Sequence, residues 1–384
     1  MKMLMLLLHD ERFSGWTVKD KLFRQHFSVQ YLHFCRQKNW EPLLYTFHER
    51  VKACQTYQLN STGVAKILPV KFRFPPFLRF GNDHNPNAVM QEMVRDGPDL
   101  VHFHNYYMFS FPYTAAFVKK KLKLPLIAQL HGYHNSSIRK TLYLPCLHAL
   151  RKTDCIIYSY KPEESLYRKL KIAEKTVRVP VPGVNPNVFR RQRRCDSTRL
   201  LYVGRVPRPE TAHGEKSPFF LLHLLRNILP QIKDVSLDIV GDGPGLEYCR
   251  HLANKLELTG HVTFHGYVPH SDLPKYYQAS ALTFSPIQVY DVDGWFDGAI
   301  QESLACGTPV ATLKASQETP HLGTYGFLLS NNIQRAAAEV SKLLKTPEEM
   351  DQFAAEGSRF VRENCSYDKV GTELQKTWES ALRK

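Results

Sequence analysis

The chain has 384 residues, 43% of them hydrophobic and 23% charged, with a net charge of +15. That length exceeds one ordinary hydrophobic core and points to two domains, in a composition typical of globular proteins. Eight cysteines with no CxxC pair and no zinc-ligand spacing exclude a zinc or disulfide framework and read as mostly buried thiols of a reducing, cytoplasmic protein.

The charge is unevenly spread. Met1–Asn185 carries 28 Lys+Arg against 13 Asp+Glu, whereas Pro186–Lys384 carries 23 of each. The whole excess therefore sits on the first half, with a KKKLK run at Lys119–Lys123 and RRQRR just beyond it at Arg190–Arg194. A field of one sign attracts anionic partners, such as an acidic bilayer or a phosphate-bearing substrate. No nucleic-acid motif accompanies it, so no nucleic-acid partner is expected.

Short apolar runs alternate with amphipathic segments along the chain. The first run, Met3–Leu8, is too short to span a bilayer. His9, Asp10, Glu11 and Arg12 follow it without a cleavage-site pattern, so it reads as a buried strand rather than a signal peptide. Further strands are predicted at 43–46, 100–104, 126–130 and 155–158, with helices at 18–36, 88–95, 115–121, 138–151 and 162–170. The stretch VPVPGVNPN at Val179–Asn187 punctuates the pattern as a hinge. Beyond it, strands are predicted at 200–203, 236–240, 262–264, 281–284 and 310–312. Helices alternate with these at 218–229, 245–256, 273–278, 298–305 and 335–344, and two more follow from Pro347. Alternating strands and helices of this kind predict an α/β protein of two doubly wound parallel-sheet domains, whose ligands bind beyond the carboxyl ends of the strands. The expected borders are 1–185 for the first domain, 186–364 for the second, and 365–384 for a helix crossing back to the first.

Nine motifs occur in order. The first half holds PDLVHFHN (Pro98–Asn105), LIAQLHGYH (Leu126–His134) and VPGVNPNVF (Val181–Phe189). The second holds LLYVGR (Leu200–Arg205), Lys216, LDIVGDGPG (Leu237–Gly245), VTFHGYV (Val262–Val268), LPKYYQASALTFSP (Leu273–Pro286) and QESLACGTPVAT (Gln301–Thr312). Each is weak alone. Together they resemble the retaining glycosyltransferases of the GT-B fold, family 4, from Pro98 to the end of the chain.

The resemblance implies two Rossmann-like domains facing across a cleft, the first for an acceptor and the second for a nucleotide-sugar donor. It implies that Arg205 and Lys216 bind the donor diphosphate. Fixed positive charge suits that role, because negative charge builds up as the sugar–phosphate bond breaks. Ten residues, VPRPETAHGE, separate the two, and Arg208 is an alternative to Lys216. Glu302 matches the glutamate that accepts from the ribose hydroxyls, a task suited to an acceptor-only carboxylate. Its helix starts near Gly298 and Ala299, where free amide N–H groups attract anions. Gly307 suits the residue that ends this helix. His131 matches a histidine beside the donor sugar and acceptor, and Gly15 matches loosely a glycine loop over the phosphates. Gly243 and Tyr267 fall in the donor-side motifs.

The family normally places a second glutamate eight residues before Glu302. Gly294 stands there, while Phe296 keeps the register. Either Asp293 reaches the sugar, or backbone amides of Phe296, Asp297, Gly298 and Ala299 hold it. Asp291-Val292-Asp293 spells a DxD suited to a divalent cation, but three-letter acid motifs are common by chance, and no metal or other cofactor is expected. His102 and His104 alternate on a strand and lack a third ligand. Tyr106, Tyr107, Phe109, Phe111 and Tyr113 read as core, or alternatively as an acceptor wall. The expected donor is a UDP-, GDP- or ADP-sugar. The expected acceptor is a glycan or lipid-linked saccharide, anionic in character, met at the inner face of a membrane. A catalytically silent homologue and a nucleotide-sugar 2-epimerase are the competing readings.

Overall fold

The computed structural model describes residues 1–7, 27–48, 51–59, 63–69, 86–104, 110–130, 144–159, 163–180, 183–192, 197–209, 218–285, 298–313 and 326–384. The chain divides into two compact units, one of Met1–Val179 with Gly371–Lys384, the other of Pro180–Val370. The first border falls a few residues before the 185/186 read from the proline-rich hinge.

Unit 1 is built on an eight-stranded sheet. Its strands are β1 (Lys2–Leu7), β2 (Glu41–His48), β3 (Gln55–Leu59), β4 (Gly63–Pro69), β5 (Leu100–His104), β6 (Leu126–Gln129), β7 (Cys155–Tyr158) and β8 (Thr176–Arg178), in the order β3-β4-β2-β1-β5-β6-β7-β8. All pairs are parallel except β3 with β4. The helices are α1 (Phe27–Arg36), α2 (Asn87–Asp96), α3 (Phe111–Phe117), α4 (Leu144–Ala149) and α5 (Glu163–Lys169). α3 starts earlier than the 115–121 expected and continues as a π-turn over Val118–Leu122. Leu4, Leu6, Tyr45, Val101, Phe103 and Ile156 form the centre of the core.

Unit 2 is built on a six-stranded parallel sheet of β9 (Arg199–Val203), β10 (Ser236–Val240), β11 (Val262–Gly266), β12 (Leu282–Phe284), β13 (Val310–Leu313) and β14 (Gly326–Leu329), ordered β11-β10-β9-β12-β13-β14. The helices are α6 (Phe219–Ile228), α7 (Leu246–Lys255), α8 (Leu273–Gln278), α9 (Gly298–Ala305), α10 (Ile333–Leu344) and α11 (Pro347–Asn364). The last helix, α12 (Tyr367–Leu382), passes into unit 1 from Gly371 onward.

Four strands escape the sequence pattern: β3, β4, β8 and β14. β3 is an antiparallel edge strand whose side chains are mostly exposed, so its polar sequence QTYQL carries no hydrophobic signal. β8 has three half-buried residues, too few to show a period.

α12 is part of the unit 1 core. Trp378 is fully buried, 6.0 Å from the ring of Trp40 and 6.3 Å edge-on from His102. Gln375 donates to the Phe34 carbonyl at 2.9 Å. His102 and His104 do face one side, as their alternation predicts, with rings stacked at 4.2 Å and both fully buried. Of the five crowded aromatics, Phe111 is core and Tyr113 is exposed, while Tyr106, Tyr107 and Phe109 lie outside the described residues. Six of the seven described cysteines are buried, and none of the seven is in a disulfide.

Two outcomes are expected in unit 1. Trp378→Ala should cost about 3–5 kcal/mol, read as faster amide exchange in β1 and β5 than in β9 and β10. Burial holds the His102 imidazole neutral, its pKa lowered to about 3. The unfolded chain takes up that proton first, so this contribution is intact above about pH 6.5 and is lost below it, by about 1.4 kcal/mol per pH unit. Burial raises the Glu163 carboxyl from 4.5 to about 8, which acts in the opposite direction from about pH 8 down to about pH 4.5 and so overlaps the His102 effect only between about pH 6.5 and 4.5. His102→Phe isolates the first effect. It should make the urea midpoint of unit 1 decline less steeply than wild type as pH falls.

Candidate active site

Strand order locates the site in unit 2. β9 and β12 are neighbours at the centre of the sheet, and the winding reverses between them. Connections leaving their carboxyl ends diverge to opposite faces, which opens a crevice there. The segment after β9 carries Arg205. The segment after β12 leads into α9 and Glu302.

The Arg205 loop is held mainly by backbone hydrogen bonds. Gly204 N–H donates to Val240 O at 3.0 Å, Val206 N–H to Asp242 O at 3.0 Å, and Gly245 N–H to Val206 O at 3.1 Å. The loops after β9 and β10 thus zip together. A Cβ on Gly241 would lie 1.8 Å from Gly204 O, and one on Gly243 would lie 2.3 Å from Val206 O. Both residues also hold positive φ, 137° and 153°. The GDGPG glycines are therefore required by loop-to-loop packing, whatever else they touch. The Tyr202 hydroxyl donates to the Arg205 carbonyl at 2.7 Å and fixes the backbone from below. The Arg205 side chain is exposed at this edge, as is that of Arg208.

α9 ends as its sequence predicts. Thr308 N–H donates to Ser303 O and Gly307 N–H to Leu304 O, each at 3.0 Å, with Gly307 at φ 79°. These two bonds form a Schellman cap. Ile300, Gln301, Ser303 and Leu304 are buried; Gly298, Ala299 and Glu302 form the half-buried face. The Glu302 side chain is 14% exposed. Its Oε1 accepts from His270 Nε2 at 2.7 Å, and its Oε2 accepts from the Tyr277 hydroxyl at 2.9 Å. Phe189 packs 4.9 Å from the His270 ring and 6.2 Å from Tyr277. The Tyr367 hydroxyl is pushed up by burial and by the Glu302 charge. His270, Tyr277 and Phe189 carry no sequence signal for this arrangement, because 32 residues separate His270 from Glu302 and 25 separate Tyr277 from it.

Tyr267 follows β11 at the same carboxyl edge and is 42% exposed. Arg205, Gly243, Tyr267, Gly298, Ala299 and Glu302 thus all lie on or next to segments leaving carboxyl ends of one parallel sheet. His131, Lys216, Asp293, Gly15, Phe296 and Asp297 lie outside the described residues. A cavity of about 470 Å³ lined by Ser197, Thr198, Arg199, Asp234, Ser236, Leu344 and Pro347 opens near the amino ends of β9 and β10, the wrong edge for this chemistry. Among the described residues, no cluster of three His, Cys, Asp or Glu is arranged to hold a metal. No described helix is long and apolar enough to cross a membrane.

Two doubly wound α/β units, each with a reversed strand order, are the architecture of the GT-B glycosyltransferase fold, which the solved structures below share. The models of two families match, Glycosyltransferase Family 4 over residues 28–188 and Glycosyl transferases group 1 over residues 189–360. The chain belongs to glycosyltransferase family 4.

Sucrose-phosphate synthase from Thermosynechococcus elongatus superposes with a TM-score of 0.73 at 15% identity, over 100% of this chain and 99% of that one. Anabaena HepE in complex with UDP superposes at 0.69 with 17% identity, over 99% and 100%. A GDP-mannose-dependent alpha-(1-6)-phosphatidylinositol monomannoside mannosyltransferase of Mycobacterium tuberculosis is 26% identical over 203 residues, 51% of each chain. Its Mycolicibacterium smegmatis counterpart is 26% identical over 167 residues, 41% of this chain and 43% of that one. The chain spans about half the length of the curated relatives it matches.

Gly243→Ala should push the two loops apart and displace Arg205. The expected result is a loss of about 2 kcal/mol or more in stability, read as a lower urea midpoint for unit 2.

Proposed function

We propose that the chain is a retaining glycosyltransferase that moves a sugar from a nucleoside-diphosphate sugar to an acceptor hydroxyl. The observation that carries this reading is that the segment after β9 presents the Arg205 cation and the helix after β12 carries the half-buried Glu302 carboxylate one turn from its start, on either side of the reversal point of one sheet. Arg205, joined by Lys216 or Arg208, takes the diphosphate. The α9 amides add positive potential, and Glu302 accepts from the ribose diol. Anabaena HepE forms complexes with UDP and with UDP-glucose, and the mycobacterial mannosyltransferases are GDP-mannose-dependent, which supports a nucleotide-sugar donor here.

In this mechanism the acceptor attacks from the face the leaving group departs. The leaving β-phosphate takes the acceptor proton. A hydrolase needs two carboxylates flanking the bond, whereas here the phosphate oxygen acts as the base and Arg205 stabilises the charge left on it. Asp293 contacts the donor sugar in place of the glutamate absent at position 294, and His131 hydrogen-bonds a sugar hydroxyl. No metal is required in this scheme.

We further infer an anionic, lipid-linked or polyanionic glycan acceptor and peripheral contact with an anionic membrane through unit 1. Several of the described cations of unit 1 gather where helices end. Lys120, Lys121 and Lys123 precede β6, Arg151 and Lys152 precede β7, and Lys171 and Lys175 precede β8. Lys384 joins them, its Nζ donating to the Asp154 carbonyl at 3.2 Å. Lys123 and Lys171 occupy left-handed positions, φ 56° and 55°, where glycine is less strained. This rim follows the amino edge of the sheet, so a bilayer held there leaves the carboxyl-edge loops uncovered.

Thermal shift against UDP, GDP and ADP should single out one nucleotide, with stabilisation of about 2.7 kcal/mol at 100 times its Kd. Arg205→Ala and Glu302→Ala should each abolish most of that shift. With the matching sugar donor and an acceptor, free nucleoside diphosphate should appear and NMR should show a retained anomeric configuration; its absence would identify a silent homologue. Asp293→Ala should lose turnover while Asp297→Ala keeps it. Co-sedimentation with liposomes should require anionic lipid, and Lys120→Glu with Lys121→Glu and Lys123→Glu should weaken it. Binding indifferent to lipid charge would overturn the membrane reading.

A further inference from the structure

The Glu302 carboxylate is held from two sides by two separate elements. His270 stands in the turn after β11, and Tyr277 is the fully buried residue of α8. Each gives one hydrogen bond to a different oxygen, at 2.7 and 2.9 Å. An ionised carboxylate only accepts, so His270 must carry its proton on Nε2. Each oxygen has two lone-pair directions, and one of each is now used. Two bonds to two oxygens also fix the rotation of the carboxylate plane, which a single bond leaves free.

Both donors are themselves braced. Phe189, 1% exposed, packs on both rings. The Thr308 hydroxyl, beside the cap of α9, donates to the Tyr277 carbonyl at 2.6 Å. His270 is 22% exposed, so this support reaches the surface beside the carboxylate.

We propose that His270 and Tyr277 are positioning residues for nucleotide recognition. They hold Glu302 so that its second pair of lone-pair directions faces the vicinal hydroxyls of the donor ribose. The proposal rests on the reading of Glu302 as the diol acceptor. A vicinal diol is bound well by a carboxylate only when both oxygens are presented together, and prior fixing of the group removes the cost of ordering it on binding. Phe189 extends the same support into the segment by which the chain enters unit 2.

The test measures UDP and GDP affinity by calorimetry alongside their 2′-deoxy forms. The wild-type protein should prefer the ribonucleotide by about tenfold, the scale of a charge-assisted hydrogen bond. Glu302→Ala should abolish that preference. Tyr277→Phe and His270→Ala should each reduce it several-fold without changing affinity for the deoxy form, and His270→Gln, which keeps an N–H donor, should restore it. The positioning role fails if both variants keep the wild-type preference while Glu302→Ala loses it. It also fails if the variants weaken ribo and deoxy forms equally, since that marks support of the fold alone. A preference unchanged in Glu302→Ala, no preference in the wild-type protein, or no binding of either nucleotide overturns the reading of Glu302 itself and the positioning role with it.

Discussion

The closest constraint in unit 2 is the approach of two backbones. The loops after β9 and β10 lie so near that no side chain fits between Gly204 O and Gly241 or between Val206 O and Gly243. Their N–H and C=O groups pair across the gap instead. A loop at a sheet edge normally leaves its polar backbone to water. Here the two loops satisfy each other, and the result is a rigid shelf from which the Arg205 side chain projects. A cation placed this way spends little freedom on binding, which matters where charge must be stabilised as it develops.

Unit 1 is built differently. Its core is closed by a segment from the far end of the chain, since α12 brings Trp378 against Trp40 and His102. Packing between parts so distant in sequence closes a long loop, and the burial of Trp378 makes it costly to lose. The same closure leaves the histidine pair without contact with water. Burial keeps His102 uncharged, so it adds nothing to the basic character of the unit. Among the described residues, several lysines and arginines stand where helices end, where they also complement the helix dipoles.

The central strands and most helices were legible because their signal is local. Runs such as LVHFH and LLYV bury both faces and read as continuous apolar segments. Edge strand β3 was not legible, because an edge buries little and its sequence shows it. The stop of α9 at Gly307 was legible, since one residue in a left-handed conformation suffices for it. The glycines of GDGPG were legible as a motif but not in their packing role, which depends on a loop some forty residues earlier. Glu302 was singled out by its motif and by its apolar neighbours. Its partners were not, because no local pattern links a histidine in one turn, a tyrosine in a short helix and a carboxylate in the next helix.

Those partners change how Glu302 should be understood physically. A largely buried carboxylate without donors is costly, and pairing it with a lysine or arginine would settle that cost by neutralising it. His270 and Tyr277 act by another route. They supply directed hydrogen bonds and, when the imidazole is neutral, leave the negative charge in place. A carboxylate that is oriented, and that two hydrogen bonds from the described residues leave half-satisfied, has strong remaining affinity for hydroxyl donors and none for another anion. Beside it, the first amides of α9 and Arg205 favour an anion. The two preferences lie on one sheet edge, and a nucleoside diphosphate carries both groups on one molecule: a neutral diol that donates and a diphosphate that only accepts.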